Sequence, residues 1–207
     1  MTLICTAAPF FEGNVNPNQI CCLSGWQRIV LMRTLTLAIN NVHDAGVVHS
    51  DIKPENVIIH QNSENGSCAL KLIDFDGSFL NINSPEEAFG DPVYYAPEEY
   101  AMERMPGIVL DYKIDIFALG IVFHYFWTGK IPDKGTGNSI GQCKLDGLPV
   151  VLDPALPMQL RDLINKMIEG NPDKRPTGEE IYTKEIVAPS NIFEILNDPI
   201  AINTKYY

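Results

Sequence analysis

The chain has 207 residues, 45% of them hydrophobic, enough apolar material for one domain with a buried core. Its formal charge of −11 removes the basic footprint that nucleic acid or an anionic membrane surface requires, so neither is expected as a partner. Five cysteines (Cys5, Cys21, Cys22, Cys68, Cys143) form no CxxC pair and are odd in number, which suits reduced thiols in the cytoplasm better than a disulfide frame or a zinc site.

The N-terminal MTLICTAAPF lacks the basic region of a signal peptide. SGWQRIVLMRTLTLAINNVHDAG, 24–46, opens with the capping-box pair Ser24 and Gln27 and stops at Gly46, which predicts a long helix. Its apolar residues, Trp26, Ile29, Val30, Leu31, Leu35, Ala38, Ile39 and Val42, cover enough of the surface to predict that it is largely buried. VIIH and ALKLI, separated by the turn formers QNSENGSC, read as a hairpin. A loop rich in Gly, Asp, Pro and Ser follows at 76–97. IDIFALGIVFHYFW, 114–127, is too short to span a bilayer and carries Asp115 and His124, so it reads as a buried core helix ending near Gly129. Residues 130–157 show little periodicity. LPMQLRDLINKMIEG then places Leu156, Leu160, Leu163, Ile164, Met167 and Ile168 on one stripe, and Thr177 with Glu180 opens a short last helix. The predicted fold is mainly α with a small β-hairpin.

VVHSDIKPENVIIH, 47–60, carries the chemistry. Asn56 stands where the first hairpin strand begins and Asp74, in LIDFDGS, where the second ends, and antiparallel pairing brings those ends together. Asp51 and Lys53 lie on the loop just before. The region thus gathers two hard oxygen ligands suited to Mg²⁺, a carboxylate able to act as a base, and a cation for phosphate, the set that phosphoryl transfer needs.

In this order the motifs resemble the C-terminal lobe of a eukaryotic-type serine/threonine protein kinase. HSDIKPEN is similar to the catalytic loop, DFDG to the metal-binding DFG, GDPVYYAPE to the segment ending in APE, and DIFALG to the start of the central helix; DKRP supplies the downstream arginine. The resemblance covers about residues 3–185 and implies a kinase-like α+β C-lobe over 11–185, a hinge-like strand remnant at 1–10 and a C-terminal extension at 186–207. It implies that Asp51 accepts the proton of a Ser/Thr hydroxyl on a protein substrate, that Lys53 steadies the transferring phosphate, and that Asn56 and Asp74 hold Mg²⁺, or Mn²⁺, with ATP. Ile58 matches the apolar residue beneath the adenine, Glu98 and Arg175 a structural ion pair, and His49 and Asp115 the groups that brace the catalytic loop.

The pattern is departed from in three places. Ser50 stands where many kinases have Arg, so no basic group beside Asp51 awaits a phosphate on Ser78, Ser84, Tyr94 or Tyr95. Asp76 replaces the glycine of DFG, with Gly77 next as the source of flexibility. Asp91 replaces the threonine of the usual GTP, either as a partner for Lys53 or as a solvated loop acid. The Gly-rich lid, strand lysine and helix glutamate that complete a kinase ATP site are not in this sequence, whose GTGNSIG (135–141) lacks the spacing and reads as a surface loop. The expectation is therefore a catalytic lobe that is truncated or is completed in trans by another chain. A non-catalytic pseudokinase module that binds a partner is the alternative. A small-molecule phosphotransferase is a second alternative, against which the APE segment and Arg175 weigh.

Overall fold

The computed structural model describes residues 4–7, 13–15, 20, 21, 23–61, 68–102 and 104–183; the turn at 62–67 and the expected extension at 186–207 lie outside them. The predicted hairpin forms from β4 (Val57–Gln61) and β5 (Cys68–Leu72) in the register Val57 opposite Leu72 and Ile59 opposite Leu70. Those four side chains are buried, because the strand period of two sends them to one face. Ile58 is on the other face, half-buried, opposite Lys71.

The hairpin is the centre of a wider sheet. Strand β1 (Ile4–Ala7) pairs antiparallel with β5, and β2 (Gly13–Val15) with β4, giving the order β1-β5-β4-β2. A separate two-residue ladder joins β3 (Val47–Val48) to β6 (Phe79–Leu80), inside the stretch read as loop from sequence.

Helix α1 (Gly25–Asp44) starts on the predicted capping box: Ser24 Oγ accepts from the Gln27 amide and Gln27 Oε1 from the Ser24 amide. Its core face is buried, but Trp26 is 44% exposed, contrary to the expectation, since in the first turn it is Arg28 that faces inward, donating to the Trp127 carbonyl at 2.6 Å. Helix α2 (Pro97–Met102) is followed by α3 (Lys113–Thr128), apolar on nearly every side and buried on nearly every side. Gly129, in the left-handed conformation, ends it as predicted. Helix α4 (Ile140–Leu145) interrupts the segment expected to be irregular, with Ser139 capping the Gln142 amide. Helix α5 (Met158–Met167) packs its Leu160, Leu163, Ile164 and Met167 stripe on α3, and α6 (Gly178–Thr183) opens on the Thr177–Glu180 capping box and packs on α1. Among the described residues no helix is long and apolar enough to cross a membrane. Neither Cys21 nor Cys143 is joined in a disulfide.

Candidate active site

The loop between β3 and β4 positions the polar residues singled out in the sequence. Asp51 is only 6% exposed, and both of its carboxylate oxygens accept hydrogen bonds, two at Oδ2 and one at Oδ1. Lys53 Nζ donates to Oδ2 at 2.6 Å, Asn56 Nδ2 to the same oxygen at 2.9 Å, and the Asp91 amide to Oδ1 at 3.1 Å. Asn56 Nδ2 also donates to the Asp51 carbonyl at 2.8 Å, so its amide nitrogen is committed and its Oδ1 is the atom left for a ligand. Pro54 fixes the first position of the short 3₁₀ turn, Pro54–Asn56, that sets this geometry. Burial works against the Lys53 ammonium, but Asp51, with Asp91 and Asp74 behind it, outweighs that and raises its pKa above the ordinary value.

The loop is clamped from below by Asp115, on the first turn of α3 and 1% exposed. Its Oδ2 accepts from the His49 amide at 2.8 Å and from His43 Nε2 at 2.9 Å, and its Oδ1 from the Ser50 amide at 2.8 Å. His49 in turn donates from Nε2 to the Ile73 carbonyl at 3.1 Å, and its Nδ1 accepts from the Asp51 amide at 3.3 Å, which fixes the neutral tautomer. The Phe75 ring lies 4.6 Å from the imidazole, centroid to centroid. Both predicted bracing residues therefore touch the catalytic loop. His43 was not foreseen, because nothing in its sequence surroundings distinguishes it from an ordinary helix-end histidine.

The Ile73 amide donates to the Asn56 carbonyl at 3.0 Å, which brings the start of β4 beside the end of β5 and Asp74 to the edge of the same site. Asp74 is exposed and has φ +63°, a left-handed conformation that Asp tolerates better than most residues. The donor set, one amide oxygen and one carboxylate, is hard and incomplete. It fits Mg²⁺ or Mn²⁺, which take few protein ligands and complete their shell with water and nucleotide phosphates. Among the described residues no group of three or more His, Cys, Asp or Glu side chains forms a self-sufficient metal site.

Two of the three sequence departures, Ser50 and Asp91, acquire explanations, as does Gly77 beside the third, whereas nothing in the structure explains Asp76. Ser50, also at φ +63°, donates its hydroxyl to the Gly77 carbonyl at 2.6 Å and so ties the segment after Asp74 to the catalytic loop. The Phe89 ring packs against Gly77, and a Cβ there would lie 1.8 Å from it, so the ring would have to move. Asp91 does not pair with Lys53: its carboxylate accepts from the Val93 amide at 2.9 Å while its own amide holds Asp51, and Lys53 pairs with Asp51. Two hydroxyls of the segment serve the backbone: Ser78 Oγ donates to the Phe75 carbonyl, and Ser84 Oγ accepts from the Leu110 amide. Tyr94 is held well above the ordinary phenol range, first by burial and then by Glu55 and Asp91. Tyr95 is pushed up to about 12, first by burial and then by Glu99.

Glu98 and Arg175 meet as a bidentate pair, Nη1 to Oε1 at 2.6 Å and Nη2 to Oε2 at 2.8 Å. The guanidinium also donates to the carbonyls of Glu169 and Lys113 and lies over Phe117. The protein kinase domain, as a family profile, matches residues 11–187. The chain belongs to the protein kinase family. Among curated kinases it is 32% identical over 170 residues to Serine/threonine-protein kinase CG17528 of Drosophila melanogaster, covering 79% of this chain and 22% of that protein. It is 30% identical over 154 residues to Serine/threonine-protein kinase PKH2 of Saccharomyces cerevisiae (70% and 14%) and 32% identical over 154 residues to Sperm motility kinase 2B of Mus musculus (73% and 30%). The chain thus spans less than a third of the length of the curated relatives it matches.

One contact of this site was missed entirely. Gly90, at φ +115°, lets the segment before α2 lie directly on the catalytic loop: a Cβ there would stand 2.8 Å from the Ser50 carbonyl oxygen and 2.9 Å from Asp51 Oδ1. A glycine just before Asp-Pro was the only local signal available.

Proposed function

We propose that the chain is the catalytic lobe of a serine/threonine protein kinase, transferring the γ-phosphoryl group of ATP to a protein hydroxyl once an N-lobe completes the nucleotide site. The observation that carries this reading is the Asp51 carboxylate, held by Lys53, Asn56 and the Asp91 amide at the edge where Asp74 stands. In this reading Asp51 orients the substrate hydroxyl and takes its proton, while Lys53, already beside it, follows the charge of the transferring group. Asn56 Oδ1 and Asp74 would hold the divalent ion, with Ile58 against the nucleotide base. When bound, Mg·ATP supplies the phosphoryl group and the charge neutralisation that lets it move. His49 and Asp115 brace the loop, and Glu98 with Arg175 ties α2 to the region after α5, none of them placed on the reacting atoms.

The test is thermal denaturation in millimolar Mg²⁺ or Mn²⁺. A weak site adds RT ln(1 + [L]/Kd), so the expected rise is small, about one or two degrees. Asp74→Asn is expected to abolish it and Asp51→Asn to spare most of it. If neither cation shifts the wild-type melt, with or without a non-hydrolysable nucleotide and a supplied N-lobe, the catalytic reading gives way to a non-catalytic interaction module.

A further inference from the structure

A second group of carboxylates gathers around Tyr95. Glu86, Glu87, Ala88, Tyr95, Glu99 and Met102 enclose a cavity of about 370 Å³. Glu99 belongs to α2 and is 3% exposed. Its Oε2 accepts from the Ala96 amide at 2.6 Å, whereas its Oε1 is buried with no hydrogen-bond partner among the described residues. An unpartnered carboxyl oxygen in such a place costs free energy unless something arrives to satisfy it. Burial, above all, holds the Glu99 carboxyl well above the usual carboxylate range. Glu86 and Glu87, both exposed, give the mouth the same sign.

We propose that this cavity receives a cationic side chain of the protein substrate, arginine in preference to lysine, with Glu99 at its floor and Glu86 and Glu87 at its rim. A guanidinium presents several N–H donors in a fixed fork, suited to one deep carboxyl and two shallow ones. The methylene stem of the same side chain fits Ala88, Met102 and the Tyr95 ring. The cavity is also within reach of the phosphoryl-accepting position. Tyr95, one of its walls, donates its hydroxyl to the Gly90 carbonyl at 3.2 Å, and Gly90 lies against Asp51. The selected side chain therefore belongs to a residue a few positions from the acceptor hydroxyl. This inference names the substrate class of the kinase reading above and rests on it.

The probes are short blocked peptides with one serine among alanines and a single arginine at each remaining position in turn, the all-alanine peptide serving as reference. Binding to the unmodified chain is measured by calorimetry without nucleotide or metal. Arginine at one position is expected to tighten binding about tenfold, the ratio one charge-assisted hydrogen bond supplies. Lysine at that position is expected to do less. Glu99→Gln keeps the size of the side chain and its acceptor for Ala96 and is expected to remove most of the preference. The exposed pair Glu86→Gln and Glu87→Gln serves as a second variant and is expected to weaken it. Equal affinity for every peptide, no binding at millimolar concentration, or a preference that survives Glu99→Gln overturns the proposal. The arginine preference is read without phosphoryl transfer, so a failed metal test at Asp74 with the preference intact would sink the kinase reading alone.

Discussion

Gly90 and Gly77 both let the segment following Asp74 approach its neighbours, but their surroundings differ in kind. At Gly90 a methyl group meets the Ser50 carbonyl and Asp51, which cannot retreat, and the residue must also hold φ +115°. Gly90→Ala is expected to cost about 2 kcal/mol in urea denaturation, from backbone strain alone. At Gly77 the obstacle is the ring of Phe89, half exposed and free to swing, so Gly77→Ala is expected to cost less than about 1 kcal/mol. Equal costs would mean that Phe89 is fixed more firmly than its exposure indicates. The same contrast marks what a sequence discloses of a site. The convergence of Asp51, Lys53 and Asn56 was legible because a loop with Pro54 cannot separate residues so near in the chain. The Asp91 amide and Gly90 were not, because backbone groups have no sequence signature and Asp91 drew notice only for its side chain.

At the level of elements, α1, α5 and α6 were legible because their caps and apolar stripes are local and they are long enough, or capped clearly enough, to show it. Helices α2 and α4 each have six residues, too few to display a period, and the β3–β6 ladder joins residues 47–48 to 79–80 through pairing that no local pattern encodes. Helix α2 carries a cost that can be measured. The Glu99 carboxyl is held above its ordinary value by burial, with Glu98 and Asp115 adding to the effect and the Ala96 amide and Arg175 opposing it. A raised carboxyl pKa means that the folded protein binds the proton the unfolded chain releases. The stability this confers is complete below the unfolded value, near the ordinary 4.5, and is lost as pH climbs through the folded one. Glu99→Gln, neutral throughout, is therefore expected to unfold at higher denaturant than wild type at neutral pH, with the gap closing toward pH 4. A gap that does not change with pH would place the effect elsewhere.

For the whole molecule, the Glu98–Arg175 pair joins residues 77 apart and holds α2 against the region after α5. Arg175 is buried, so Glu98→Ala strands a charge and is expected to cost about 3 to 5 kcal/mol in chemical denaturation. Arg175→Leu combined with Glu98→Ala is expected to cost less than the two single changes added together, the sign of direct coupling. Additive costs would show that each residue acts through its other neighbours.

The clamp at Asp115 has a consequence for how the molecule comes into being. The Ser50 amide it binds lies 65 residues earlier in the chain. A growing polypeptide therefore carries Asp51, Lys53 and Asn56 for roughly 3 to 13 s before the carboxylate that shapes their loop is synthesised, at about 5 to 20 residues per second. During that interval the loop has its local contacts but lacks the carboxylate that holds its His49 and Ser50 amides.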